Sequence, residues 1–240
     1  MSFNSEQTVR EIAIANPSST RIFEALGIDY CCGGNHALSV ACARASVPVE
    51  RVVGLLEQCA EPSTQDVPND ASLGELTRHI VDRHHGYVRR ESPRIQALLI
   101  KVQGKDGFAH PELTEIKALF DALAQELGEH MLKEERILFP YIQALGDGAV
   151  PSACFGSVES PIAVMIADHE NAGSALAKMR VLSDGYQPPQ GACPTFHALY
   201  AALEEFERDL HWHVHLENNI LFPRAIAADR ERRNVLSVAS

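Results

Sequence analysis

The stretch His130-Met-Leu-Lys-Glu134-Glu-Arg-Ile-Leu-Phe-Pro140 returns 83 positions later as His213-Val-His-Leu-Glu217-Asn-Asn-Ile-Leu-Phe-Pro223, with His, Glu, Ile, Leu, Phe and Pro in register. Such a duplication constrains the fold more than composition does, because both copies must supply the same element to the same kind of environment. If these stretches are matched helices, the helices preceding them match as well, and His85 finds its counterpart in His169, 84 residues on. The intervals within each half agree, at 45 residues from His85 to His130 and 44 from His169 to His213. Each half reads as a helical hairpin with one His on its first helix and a His-x-x-x-Glu pair on its second.

Positions i and i+4 lie about 40° apart around an α-helix and about 6 Å apart along it, so one such pair reaches a single site. The apolar rhythm fixes its direction. Leu119, Leu123, Leu127, His130, Glu134 and Ile137 keep a spacing of three and four, as do Leu203, Phe206, Leu210, His213, Glu217 and Ile220. Ile162, Ile166, His169, Gly173 and Leu176 repeat it, and Val81, His85 and Val88 follow it more weakly. Four imidazoles and two carboxylates therefore fall on core stripes, at a cost of several kcal/mol per uncompensated carboxylate unless a cation offsets it. The set exceeds one tetrahedral zinc and suits two metal ions. His85, His130, His169 and His213 are then terminal ligands, with Glu134 and Glu217 bridging. Iron fits the pair, since imidazole with carboxylate is an ordinary non-haem environment and bundle cores hold carboxylate-bridged di-iron sites. Two ferric charges are largely offset by two carboxylates and one oxo or hydroxo bridge. Manganese or a mixed pair stays open.

The 240-residue chain divides by pattern. Residues 1–60 carry short helical segments at 9–15, 18–26, 38–45 and 49–59, a small helical domain; 61–71, polar with prolines, reads as a linker. Ser72 and Glu75 form a capping-box pattern. Long helical segments follow at about 72–103, 112–146, 160–184 and 195–230, the third capped by Ser160. With no competing strand pattern, the expectation is an all-α chain, with an antiparallel four-helix bundle over 72–230 and a tail at 231–240. Asp29-Tyr-Cys31-Cys32-Gly33-Gly34 reads as an exposed tight turn in the small domain, whose glycines let the backbone approach something closely. Its adjacent thiols are candidates for metal transfer or redox chemistry. His79, His84, His211 and His215 are expected on the surface or behind the ligands, and Ile-Leu-Phe-Pro is expected to pack and then kink or stop the helix. His36, His110 and His197 show no partner in sequence, and Cys42, Cys59, Cys154 and Cys193 read as ordinary thiols.

Thirty-two acidic against 21 basic residues, a net charge of −11, argue against a partner recognised by its phosphate backbone. No stretch approaches 18 uninterrupted apolar residues, so a membrane span is not expected. The start lacks a basic region followed by an apolar one, and the cysteine pattern is unlike a secreted disulfide framework. A reducing cytoplasmic location is expected.

Asp-Tyr-Cys-Cys-Gly-Gly at 29–34, the stretch at 130–140 and Leu-Glu-Asn-Asn-Ile-Leu-Phe-Pro-Arg at 216–224 together resemble the repair-of-iron-centres family of di-iron proteins, of the YtfE and ScdA type, which carry a hemerythrin-like domain behind a small N-terminal domain. That resemblance implies a bridged di-iron site on the same six residues. It also implies repair of iron-sulfur clusters damaged by nitric oxide or oxidants, with Cys31 and Cys32 contributing to iron handling or reactivity. Damaged or apo iron-sulfur proteins are then the partners, and the iron is supplied to them. Two other readings compete: a di-iron enzyme reducing nitric oxide or peroxide, and a gas or redox sensor. Oxygen-carrying hemerythrins place a second His and an Asp where this chain has Gly173 and Asn218, so a site that reacts or surrenders metal fits better than reversible oxygen carriage. Monomer and homodimer are both open.

Overall fold

The computed structural model describes residues 3–58, 71–149 and 155–238. Among these the chain is all-α, a helical bundle with a small helical N-terminal region; apart from one isolated bridge between Thr8 and Ala37 there is no β-structure. The chain divides into two compact units, Met1–Leu76 together with His211–Ser240, and Thr77–Leu210. Most of the expected linker, and Cys59 and Cys154, lie outside the described residues.

The first unit opens with α1 (Val9–Ala15), α2 (Ser19–Ala25), α3 (Leu38–Arg44) and α4 (Val49–Gln58). Thr8 and Glu11 close a reciprocal capping box on α1, satisfying amide donors that the first turn leaves open. Gly27, at φ +66°, turns the chain out of α2. Ile12, Phe23, Tyr30, Leu38, Val52 and Leu56 form the core, against which Trp212 packs half-buried. Fully burying such side chains contributes about 1.5–3 kcal/mol each.

The second unit follows α5 (Leu73–His79), whose expected Ser72–Glu75 capping box is present. Its long helices are α6 (Gly86–Asp106), α7 (Glu112–Lys133), α9 (Glu159–Leu182) and α10 (Pro194–His215), the last as far as Leu210; α8 (Phe139–Gly146) prolongs the α7 segment. Phe120 of α7 and Phe206 of α10 meet edge-to-face at 5.2 Å, and Ile95, Leu99, Leu123, Leu176 and Leu203 on the same set of helices are likewise buried. Asp184, Gly185 and Tyr186 are all left-handed, reversing the chain between α9 and α10.

Three segments depart from α-geometry: Ile80–His85, Glu134–Leu138 and Leu216–Leu221 are π-helical turns. Each carries or abuts a residue singled out above, and the second and third run straight into Phe-Pro. The helix does not stop at Pro140 or Pro223. Proline's missing N–H and the bulk of its ring are absorbed by a widened turn, and the helix continues, through α8 in one copy and α11 (Phe222–Val238) in the other. The wide turn also shifts the register, so Ile137, expected on the core stripe, is 53% exposed while Leu138 is buried. α9 starts at Glu159, with Ser157 Oγ accepting its N–H, one residue before the expected Ser160 cap. α11 runs to Val238, through most of the segment read as a tail.

Candidate metal centre

Within the second unit His85, His130, Glu134 and His169 converge, all between 0 and 3% exposed. Glu134 Oε2 lies 3.4 Å from His85 Nε2 and 3.3 Å from His130 Nε2. His130 Nε2 in turn lies 3.1 Å from His169 Nε2. Separations of about 3.0–3.4 Å are those of neighbouring donor atoms around a metal with bonds of ~2.1 Å, octahedral or tetrahedral. Glu134 Oε2 thus stands between two imidazoles carried by different helices. A carboxylate at zero exposure among imidazoles is costly without a cation, and this donor set fits iron. His213 and Glu217 belong to the first unit, where His213 Nε2 and Glu217 Oε1 are 3.0 Å apart and both side chains are fully buried.

The imidazoles of the second unit are held from behind. Glu135 lies 2.7 Å from His85 Nδ1 and also takes Arg89. Asp168 lies 3.2 Å from His130 Nδ1 and also takes Lys133 at 3.3 Å. A carboxylate on Nδ1 fixes the tautomer and turns Nε2 inward, the usual arrangement of a metal-binding His. Burial pushes the Asp168 carboxyl up, but hydrogen bonds from His130 and Lys133 and the Lys133 charge hold it below its ordinary range. Neither carboxylate was singled out from sequence, although each stands next to a proposed ligand, Glu134 or His169.

His79, His84, His211 and His215 are not exposed side chains. His84 is 1% exposed, with Nδ1 3.1 Å from Asp209, so the π-helical turn buries two consecutive histidines. His215 is buried between Tyr30 and Trp212, and burial lowers its pKa to about 4. His79 and His211 are half-buried. His36 and His110, without visible partners in sequence, meet Arg44 and Glu112.

The thiol turn also differs from expectation. Cys31 is buried and Cys32 half-buried, both as thiols rather than a disulfide. Asp29 Oδ1 accepts the backbone N–H of Cys31 at 3.1 Å and of Cys32 at 2.9 Å. The close approach predicted for the glycines is made by Asn219 of the first unit: a Cβ on Gly34 would sit 2.8 Å from its Oδ1. Asn219 donates to the Tyr30 carbonyl at 3.0 Å, and Asn218 to that of Cys31 at 3.3 Å. The hydrogen bond to Cys32, burial and the Asp29 charge push the Cys31 thiol well above its ordinary range. It is therefore not a standing thiolate.

The hemerythrin family, described as a hemerythrin HHE cation binding domain, matches residues 76–225. ScdA_N, described as a domain of unknown function (DUF542), matches residues 5–60. A 230-residue stretch covering 93% of this chain is 36% identical to the iron-sulfur cluster repair protein YtfE of Pectobacterium atrosepticum, of which it covers 98%. The YtfE protein of Edwardsiella ictaluri is 42% identical over 92% of this chain and 97% of its own length. A probable iron-sulfur cluster repair protein of Haemophilus influenzae is 35% identical over 94% and 99%. Fold and site together define a cation-binding helical bundle of hemerythrin type. The chain belongs to the YtfE family of iron-sulfur cluster repair proteins. Among the described residues no helix is long and apolar enough to cross a membrane.

Proposed function

We propose that the protein repairs damaged iron-sulfur clusters by supplying iron from a two-iron centre. His85, His130, His169 and His213 serve as terminal ligands, Glu134 and Glu217 as carboxylate bridges, completed by an oxo or hydroxo bridge. The domain plan is a thiol-bearing helical domain over 1–60, a linker at 61–71 and a metal-bearing bundle over 72–230, whose last helix runs on through most of 231–240, working in the cytoplasm. The observation that carries this reading is Glu134, fully buried and within 3.4 Å of an imidazole on each side. The names of the relatives support the repair role; nitrosative or oxidative damage is the circumstance proposed for it.

When bound, iron supplies both the cargo and a redox-active centre. The chain's own groups do the rest. Glu135 and Asp168 keep the imidazole lone pairs aimed inward, so the donor set persists as metal comes and goes. Burial excludes competing water ligands. A cavity of about 260 Å³ lined by Glu126, His130, Lys133, Asp168 and His169 gives the second-unit donors a polar approach. Cys31 and Cys32 contribute thiol chemistry to iron handling in the small domain.

The test is iron transfer from reduced, iron-loaded full-length protein to an apo iron-sulfur acceptor supplied with sulfide. The acceptor is expected to gain iron and cluster absorption while the donor loses iron. Iron that stays bound in the presence of a competent acceptor overturns the reading.

A further inference from the structure

The turn at residues 29–34 has features that core packing does not require. The two sulfurs of Cys31 and Cys32 are 3.8 Å apart, and Cys31 Sγ is 3.4 Å from Asp29 Oδ1. One donor atom from each of the three residues falls within 4.8 Å of the others. In a tetrahedral site with metal–sulfur bonds of ~2.3 Å and metal–oxygen bonds of ~2.0 Å, two sulfurs stand about 3.8 Å apart and a sulfur and an oxygen about 3.5 Å. The turn presents those spacings.

It is also held in that form. The amides of Cys31 and Cys32 anchor one end of the Asp29 carboxylate. A Cβ on Gly33 would sit 3.0 Å from Asp29 Oδ2, so a side chain there would push the carboxylate away. Asn219 and Asn218 fix the carbonyls on either side of the first thiol. Exposure is graded: Asp29 is open, Cys32 half-buried and Cys31 buried, leaving one side for an ion to enter.

We propose that Asp29, Cys31 and Cys32 form a mononuclear site for a thiophilic divalent cation, with two thiolates and one carboxylate oxygen at three corners of a tetrahedron and the fourth open to an exchangeable ligand. Binding releases two protons, one from each thiol, and changes no oxidation state. Three protein ligands and an open position characterise sites that exchange rather than store. The proposal deepens the part given above to Cys31 and Cys32 and rests on that reading for its physiological cargo, whereas the site itself rests on the turn.

The test titrates Co²⁺ into reduced full-length protein whose His/Glu donors are already loaded with iron. One equivalent is expected to bind with thiolate-to-cobalt charge-transfer absorption in the near ultraviolet, absent from Cys31→Ser and Cys32→Ser. Asp29→Asn keeps the acceptor for the two amides but loses the charge, and is expected to weaken binding at least about tenfold, the scale already reached by losing a group behind a ligand. In the parent, bound Co²⁺ is expected to slow alkylation of Cys32, a reading that needs no variant. Saturation without the charge-transfer band, its survival in both serine variants, undiminished affinity in Asp29→Asn, or unprotected Cys32 each overturns the site. All of these read binding by the turn, so they stand or fall independently of iron transfer.

Discussion

The His/Glu cluster of the second unit and the thiol turn of the first both gather donor atoms at metal-ligand spacing, but they are built in opposite ways. His85, His130, Glu134 and His169 come from three helical segments, are buried and, at two imidazoles, are braced by an outer carboxylate. Asp29, Cys31 and Cys32 come from four consecutive residues, with one side open. Long-range convergence and an outer shell favour retention, because the donors stay in place whether or not the metal does. A local loop with soft ligands favours exchange. On the readings proposed above, holding iron and handing it on would draw on both parts of the chain.

The largest expected effect comes from stripping the metal. Removing a ligand present at 1,000 times its Kd costs about 4 kcal/mol of apparent stability, and each kcal/mol moves Tm by roughly 2–4 °C in a chain of this size. Chelation of the iron-loaded protein is expected to lower Tm by about 10 °C in differential scanning calorimetry, whereas occupancy of the thiol turn moves it far less. An equal shift from each would erase the contrast.

Next in size are Glu135→Ala and Asp168→Ala, which leave the proposed ligands in place. Each is expected to reduce iron affinity by about 10- to 100-fold in competition with a chelator, with the helical circular dichroism retained. Unchanged affinity would mean that the outer carboxylates serve only Arg89 and Lys133.

Asn219→Ala removes the amide that ties the thiol turn and is expected to cost about 1–3 kcal/mol in urea denaturation, because it leaves the Tyr30 carbonyl one donor short. Iron content of the protein should be unaffected. The smallest effect is kinetic. Hydrogen bonds from the Phe196 and Thr195 amides at the start of α10, with help from Lys105, hold the half-buried Cys193 thiol below its ordinary range. Lowered pKa means more thiolate at a given pH, so Cys193 is expected to be alkylated first as pH rises towards 9. Burial raises Cys42, and Cys31 is raised well above its ordinary range, so both should lag. Mass spectrometry of partially alkylated protein reads the order directly.

Much of this was legible in the sequence because helical periodicity and duplication are local signals. The helices at 9–15 and 112–146 fall where the pattern puts them, and the His85 and His169 pairing follows from arithmetic on the repeat. The π-helical turns were not legible. Pro140 and Pro223 announce a disturbed helix, but whether it ends or carries on through a widened turn depends on what the next turn can bury, and here both Glu134 and Leu138 stay inside. His84 shows a related limit. Angular arithmetic turns it away from His85 but cannot say that a neighbouring helix brings Asp209 to meet it 125 residues later. Nothing marked Asn218 and Asn219 as ties of the thiol turn either, because their partners are backbone carbonyls, which no sequence pattern marks.

The central claim is that the duplicated His-x-x-x-Glu pairs hold iron. Metal analysis of protein from iron-replete cells, with its optical spectrum, tests it most directly when the parent is compared with Glu134→Ala and Glu217→Ala. About two irons per chain with oxo-bridged ferric absorption, falling sharply in both variants, is the predicted result. A single zinc, no metal, or iron content indifferent to both substitutions would contradict it.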